Sequence, residues 1–313
     1  MTRAFLFPGQ GSQSTGMGKA LSEAFTCARE VFQEVDEALG QKLSALMFNG
    51  PEETLKLTAN AQPALMAVSI AVMRVLSSEG GKALPALASH VAGHSLGEYT
   101  ALCAAGSFSL SDTARLLRLR GASMQAAVPV GVGAMAALLG VDLDVAREIA
   151  EAAAEKEVCA CANDNAPGQV VISGHKAAVE RALKIAADKG FKRSIMLQVS
   201  APFHCALMEP AAKVMKQALE KTHIAAPVVP LIANVTAEEV VEPTAIRRLL
   251  VEQVTGLVRW RESMLALKAK GVEKAVEAGS GTVLAGLMKR IDKDIQMTSI
   301  HTPQEIEAFL QSV

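Results

Sequence analysis

The chain has 313 residues, of which 50% are hydrophobic and only 4% aromatic, so its core should consist mainly of aliphatic side chains. The formal net charge of -1 excludes a whole-chain basic field of the kind that gathers nucleic acid or anionic membranes. The five cysteines are odd in number and lack metal-type spacing, which argues against a disulfide framework and a metal site.

The length suits about two domains, or one large domain with an insertion. No uninterrupted apolar run reaches the roughly 18 residues that span a bilayer. Pro8 interrupts the N-terminal segment before a signal sequence could form. We therefore expect a cytoplasmic protein with no membrane and no nucleic acid as partner.

The first part of the chain alternates predicted strands with predicted helices. "AFLF" at the start is a short apolar run that the Gly-rich "PGQGSQSTGMG" stops, which is typical of a buried strand followed by a loop. Apolar runs and turn residues then predict a buried helix, a strand and two more helices, at 61–76, 86–93, 97–106 and 111–127. This alternation predicts a mostly parallel sheet covered by helices.

The rhythm changes over residues 128–199, where the patterns predict strand, helix, two strands, helix and strand. This βαββαβ order is the ferredoxin-like pattern. The first rhythm then returns over 200–313. We therefore predict an α/β fold with a large domain formed by 1–127 and 200–313 and an inserted ferredoxin-like subdomain at 128–199.

The sequence "GHSLG" lies between the strand predicted at 86–93 and the helix that follows it. A strand, this G-x-S-x-G pattern and a helix together are typical of a nucleophile elbow, with Ser95 as the nucleophile. The glycines on either side lack side chains that would clash where the chain reverses. A tight turn without chemistry is the alternative, whereas a phosphate loop is disfavoured because no lysine accompanies the turn.

A serine hydroxyl needs a base before it can attack an acyl carbon, and six histidines compete for that role. His204 is our candidate because "QVSAPFHC" follows the insertion where the chain re-enters the large domain. A structural histidine remains the alternative. When the serine attacks, the acyl carbonyl oxygen becomes an oxyanion that needs hydrogen-bond donors. The elbow offers the backbone N–H of Leu96 as one donor. The loop "FPGQGSQ", with Gln10 in its middle, is the candidate for the second donor, and a Gly-rich turn without this role is the alternative.

Arg120 lies on the edge of the apolar face of the helix predicted at 111–127. A partly buried arginine requires an anion, and its planar fork of N–H groups suits a carboxylate. That carboxylate is either an internal Asp or Glu, which is the commoner case, or part of a substrate.

The whole chain resembles the malonyl-CoA:acyl carrier protein transacylases. The similar segments are, in order, "FPGQGSQ", "GHSLGEYTAL", "LRGASMQAAVP", "NDNAPGQVVISG", "SAPFHCALM", "VEQVTGLVRW" and "GTVLAGLMKRI". The resemblance implies an α/β-hydrolase-like core with an inserted ferredoxin-like subdomain. It also implies malonyl-CoA and acyl carrier protein as partners, no metal or other cofactor, and we expect a monomer.

The resemblance further implies a role for each candidate residue. Ser95 is the nucleophile and His204 its base, while the N–H groups of Gln10 and Leu96 hold the oxyanion. Arg120 binds the free malonyl carboxylate. Gln253 lies beside the histidine, whose ring a main-chain acceptor orients, and Phe203 fills the space that a branched acyl group would need.

Two segments depart from the family pattern, because "TGLVRW" and "GSGTVL" each lack a proline that the family often has there.

Two other functions are compatible with the same elbow. A serine esterase or thioesterase would release free acid and would tolerate uncharged acyl groups. A scaffold that binds acyl carrier protein without catalysis would keep the elbow unused.

Overall fold

The computed structural model describes residues 2–199 and 201–313. The first part of the chain forms two strands and eight helices, which are β1 Thr2–Phe7, α1 Lys19–Ala24, α2 Thr26–Leu39, α3 Leu43–Asn49, α4 Glu52–Lys56, α5 Thr58–Ser78, α6 Leu84–Leu87, β2 His90–Gly93, α7 Leu96–Ala104 and α8 Leu110–Ala126.

The middle segment is β3 Gly133–Leu139, α9 Leu143–Ala154, β4 Cys159–Ala166, β5 Gln169–His175, α10 Lys176–Asp188 and β6 Ile195–Met196. The last part contains α11 Glu209–Lys221, β7 Leu231–Ile232, β8 Glu239–Val240, α12 Pro243–Gln253, α13 Trp260–Ala269, β9 Val272–Ala278, α14 Val283–Ile291, β10 Gln296–Ile300 and α15 Pro303–Gln311.

The larger sheet has the strand order β10-β9-β1-β2-β7-β8, and only the edge pair β7–β8 is antiparallel. The central strands β1 and β2 are buried on both faces. Phe5 and Phe7 of β1 pack into one hydrophobic cluster, whereas Ala4 and Leu6 pack into another. Alternate residues of one strand therefore contact helices on opposite sides, as in a doubly covered parallel sheet.

The smaller sheet is antiparallel with the order β4-β5-β3-β6. Ala136 and Leu138 of β3 pack against α9 and α10, whereas Met135 and Ala137 join the core of the larger body. The protein is thus a mixed α/β fold with a parallel sheet and a separate antiparallel sheet, and one face of the second sheet packs on the core of the larger body.

Three predicted elements differ in the structure. The strand predicted at 86–93 divides into the short α6 and β2. The last strand predicted in the middle segment, "KRSIMLQVS" at 192–200, forms pairs only at Ile195–Met196, both exposed. Ser200, its predicted last residue, lies outside the described residues. The helix predicted from residue 61 begins at Thr58, so that Pro63 lies inside it. Burial of the whole segment outweighs the local cost of that proline.

At 21 residues, α5 is long and apolar enough to cross a membrane by length and composition, which the sequence analysis did not anticipate. However, 78% of its apolar window is buried inside the fold. Its composition is therefore accounted for by packing between α2, α7 and α8.

A buried ion pair connects the smaller sheet to helix α13 of the larger body. Asp164 of β4 has only 1% of its side chain exposed, and its carboxylate accepts hydrogen bonds from Nε and NH2 of Arg261 in α13 at 2.9 and 2.8 Å. Beside it, the backbone N–H of Asp164 donates to the carbonyl of Val258, and that of Val258 donates to Ala162. This joint fixes β4 against the large body.

We expect Arg261→Ala to lower the free energy of unfolding by about 3 kcal/mol, because it leaves a buried carboxylate without its cation. The matched control is Arg147→Ala, whose partner Asp144 is 90% exposed. This control should change stability by less than about 0.5 kcal/mol. Urea unfolding of both variants tests this, and equal shifts in midpoint would contradict the role of the joint.

Candidate active site

Ser95 lies on a sharp turn between β2 and α7, with φ 54° and ψ -109°. The glycines at 93 and 97 are required by close contacts in this turn. A Cβ on Gly93 would lie 1.8 Å from the carbonyl oxygen of Gly97, and one on Gly97 would lie 2.3 Å from that of Phe7. The positive φ at a residue with a side chain is strained, so surrounding contacts must hold it.

Two buried side-chain amides hold the backbone of Ser95. Its N–H donates to Oδ1 of Asn234 at 2.8 Å, and Nδ2 of the same asparagine donates to the carbonyl of Gly93 at 2.7 Å. Nε2 of Gln253 donates to the carbonyl of Ser95 at 2.8 Å. The two amides thus satisfy the polar groups of the strained peptide and fix its orientation.

His204 lies directly beside the serine. The hydroxyl of Ser95 is 2.8 Å from Nε2 of His204, and Nδ1 is 2.9 Å from the carbonyl oxygen of Gln253. Because a carbonyl only accepts, Nδ1 carries the proton and Nε2 is free to accept one from the hydroxyl. His204 also has a positive φ of 58°. Burial and the nearby charge of Arg120 lower the pKa of His204 from 6.5 to about 3.

The guanidinium of Arg120 is the third group at this site, and only 1% of the residue is exposed. Its NH1 donates to Oε1 of Gln62 at 2.9 Å, and its NH2 lies 2.8 Å from Oε1 of Gln253 and 3.1 Å from Oγ of Ser95. Within the part of the chain that the structure describes, Nε has no hydrogen-bond partner and no carboxylate forms an ion pair with this cation. Glu98 acts on it only through space. The alternative prediction, an internal Asp or Glu in direct contact with Arg120, is therefore wrong for the described residues.

A cavity of about 100 Å³ opens onto Ser95, His204 and Arg120. Gln10 and Leu96 line it on one side, and Phe203, which is 9% exposed, lines it on another. The loop that carries Gln10 follows β1, and the N–H of His94 donates to the carbonyl of Phe7, so loop and elbow meet at one edge of the sheet. As the first residue of α7, Leu96 has an N–H that the helix leaves without a carbonyl partner.

The small sheet forms part of the cavity wall, to which it contributes Met135 and Asn163. The two other histidines near the elbow, His94 and His90, make their side-chain contacts with groups other than the serine hydroxyl. His94 turns away from the serine, since its Nε2 is 2.8 Å from Oδ1 of Asn165 and its ring packs on Trp260. His90 lies at the opposite end of β2, where it contacts Glu239.

Sequence reasoning missed three buried side chains of the site, Gln62, Asn234 and Glu98. A signal was present only for Glu98, a carboxylate in the apolar segment "GEYTALCAAG". It is 1% exposed, and its Oε2 accepts a hydrogen bond from Nε2 of Gln253 at 2.6 Å. Burial raises the pKa of Glu98 to about 7. Among the described residues, no cluster of three or more His, Cys, Asp or Glu could hold a metal ion.

Comparison with known proteins assigns the chain to a family. The family described as "Acyl transferase domain" matches residues 4–300. The malonyl CoA-acyl carrier protein transacylase of Bacillus subtilis (strain 168) is 44% identical over 311 residues, which cover 99% of this chain and 96% of that one. This chain belongs to the malonyl-CoA:acyl carrier protein transacylase family.

Solved structures of the family agree closely with the fold. The acyl-carrier-protein-S-malonyltransferase of Bartonella henselae is 57% identical, with a TM-score of 0.97 over 100% of this chain and 99% of that one. A malonyl-transacylase solved in complex with a type II PKS acyl-carrier protein is 41% identical, with a TM-score of 0.96 and full coverage of both chains.

The low pKa of His204 predicts how the reactivity of Ser95 depends on pH. Because the folded-state pKa of about 3 lies below the ordinary 6.5, the ring stays neutral and able to accept a proton between about pH 5 and 8. We expect the rate at which a sulfonyl fluoride modifies Ser95 to show no tenfold loss per pH unit in that range. Intact mass spectrometry measures this rate, with Ser95→Ala as the unreactive control. A tenfold loss per unit below about pH 6.5 would contradict the prediction.

Proposed function

We propose that this protein transfers the malonyl group from malonyl-CoA to the phosphopantetheine thiol of acyl carrier protein, through a malonyl ester on Ser95, for fatty acid synthesis. The observation that carries the substrate class is the buried guanidinium of Arg120, which has no carboxylate partner and lies 3.1 Å from the serine hydroxyl. A buried cation with no carboxylate in direct contact favours a substrate that brings its own carboxylate.

The first half of the reaction uses the dyad geometry. Nε2 of His204 takes the proton of the Ser95 hydroxyl as the oxygen attacks the thioester carbonyl carbon. The charge that develops on the carbonyl oxygen is stabilised by the N–H groups of Leu96 and Gln10. When the C–S bond breaks, the proton on Nε2 passes to the CoA sulfur, and CoA leaves as its thiol.

The second half reverses these steps with another thiol. His204 takes the proton of the phosphopantetheine thiol, whose sulfur attacks the malonyl ester, and the serine oxygen recovers a proton as it leaves. The carbonyl of Gln253 keeps the histidine ring in the tautomer that both halves need, so no triad carboxylate is required. This chemistry uses neither metal nor redox cofactor.

The position of Phe203 favours malonyl over a branched acyl group as the substrate. Its ring lines the small cavity beside His204, where a methyl branch on the α-carbon of the acyl group would need space. Rejection of one such methyl is worth roughly 1 to 3 kcal/mol.

Family similarity and topology support the finer architecture that we propose. The large body at 1–127 and 200–313 is an α/β-hydrolase-like core, and 128–199 is an inserted ferredoxin-like subdomain. The strand order β4-β5-β3-β6 supports the second assignment. All the groups named in the mechanism come from one chain, which favours a monomer, and the CoA thioester donor favours the cytoplasm.

The transferase function is tested by intact mass spectrometry of the protein mixed with malonyl-CoA. We expect a malonyl adduct on the wild type and none on Ser95→Ala, because only the serine oxygen accepts the acyl group. A chase with holo acyl carrier protein should move the adduct to the carrier. Loss of the adduct to water, with or without carrier, would instead indicate a hydrolase, and no adduct at all would indicate a scaffold.

The carboxylate role of Arg120 predicts a selective defect. We expect Arg120→Ala to reduce malonyl loading by roughly 100-fold or more, the size expected when a charge-assisted bidentate pair is lost. Acetyl loading should fall far less, because acetyl has no free carboxylate. The rates of loading from malonyl-CoA and acetyl-CoA measure this, and equal losses on both substrates would contradict the role.

A further inference from the structure

Glu98 and Arg120 are both fully buried, yet they do not touch. The side-chain amide of Gln253 lies between them. Its Nε2 donates to the Glu98 carboxylate at 2.6 Å, and its Oε1 accepts from NH2 of Arg120 at 2.8 Å. Reversing the amide would face its NH2 to the cation and its oxygen to the carboxylate, so these two charges fix its orientation.

This arrangement is an ion pair with one amide inserted. Glu98 stabilises the charge of Arg120 through space, while the guanidinium donates only to neutral acceptors. A direct carboxylate would occupy the fork of N–H groups. Glu98 therefore compensates the buried charge from beyond the inserted amide. The hydrogen-bond partners of the guanidinium remain uncharged groups, which an incoming carboxylate can displace.

We propose that Glu98 is a positioning residue that sets acyl selectivity: when ionised, it shares Arg120 with the malonyl carboxylate through Gln253 and weakens malonyl binding. This inference rests on the proposed function. Once malonyl is bound, two anions lie on one buried cation, and their repulsion opposes retention of malonyl. An uncharged acyl group such as acetyl does not experience that repulsion.

The same geometry links malonyl binding to a proton. Two neutral donors face the Glu98 carboxylate, Nε2 of Gln253 and the N–H of Asn234, and both favour the ionised form. The charged and titratable groups that act on it are Arg120 of α8 and its neighbour Tyr99, whose pKa is raised by burial so that it stays neutral. Burial places the pKa of Glu98 near 7, so malonyl binding should weaken as pH rises through that value.

The test measures the concentration for half-maximal acyl-enzyme formation with malonyl-CoA and with acetyl-CoA, in wild type, Glu98→Gln and Glu98→Asp, between about pH 6 and 8.5. At the upper pH we expect Glu98→Gln to lower the malonyl-CoA value roughly tenfold, as for like charges on the order of 10 Å apart at an effective dielectric constant of about 20. The acetyl-CoA value should change far less, because acetyl has no free carboxylate for Glu98 to repel. Glu98→Asp keeps the charge and should retain the wild-type ratio of the two values.

The matched control is Glu277→Gln, which removes another fully buried carboxylate. Glu277 accepts hydrogen bonds from the N–H groups of Leu284 and Ala285 and has no contact with Arg120. Its loss should lower thermal stability without changing the ratio of the malonyl to the acetyl value. This separates a charge effect at the site from general destabilisation.

The inference would be overturned if Glu98→Gln changed the half-maximal concentrations of malonyl-CoA and acetyl-CoA equally. A higher malonyl-CoA value in this variant would overturn it too. If Glu98→Gln does not fold, the wild type alone decides, since its malonyl-CoA value should rise through about pH 7 while its acetyl-CoA value changes far less. A flat malonyl profile would overturn the inference as well. Failure of the wild type to load malonyl at all is a different result, because it would contradict the proposed function itself.

Discussion

The strained backbone of Ser95 is the constraint on which the site depends. A residue with a side chain adopts φ 54° only where its surroundings enforce it, and here two glycines allow the reversal while two buried amides hold the peptide. The elbow also needs β1 and β2 as central neighbours, because the carbonyl of Phe7 accepts a hydrogen bond from the turn itself. The same pairing brings the loop with Gln10 to the serine.

Burial of charge governs the rest of the site. Arg120 is desolvated without a carboxylate in contact, and its field contributes to keeping His204 neutral. A neutral histidine is what a general base requires, so the cation that suits a carboxylate substrate also favours the protonation state of the base. Gln253 joins these effects, since its carbonyl orients the histidine and its side chain lies between Arg120 and Glu98.

The second sheet matters because it forms part of the cavity wall. Met135 and Asn163 line the cavity from β3 and β4, and the buried pair of Asp164 and Arg261 fixes that sheet to α13. Restricting the cavity to about 100 Å³ limits the space around the serine. The position of the second sheet, which the pair of Asp164 and Arg261 fixes, therefore limits the access of acyl groups and water to Ser95.

Local sequence determined the parts of this protein that neighbouring residues specify. The periodic apolar runs predicted the α/β alternation and the βαββαβ order, and "GHSLG" between a strand and a helix predicted the elbow, because turn and helix signals act over a few residues. Only the tertiary structure decided which groups surround Arg120, because Gln62 and Gln253 are far from it in sequence and carry no local signal. The tertiary structure also decided that the Gln253 side chain separates Glu98 from Arg120. Contacts between such distant segments depend on how the helices pack around the sheet.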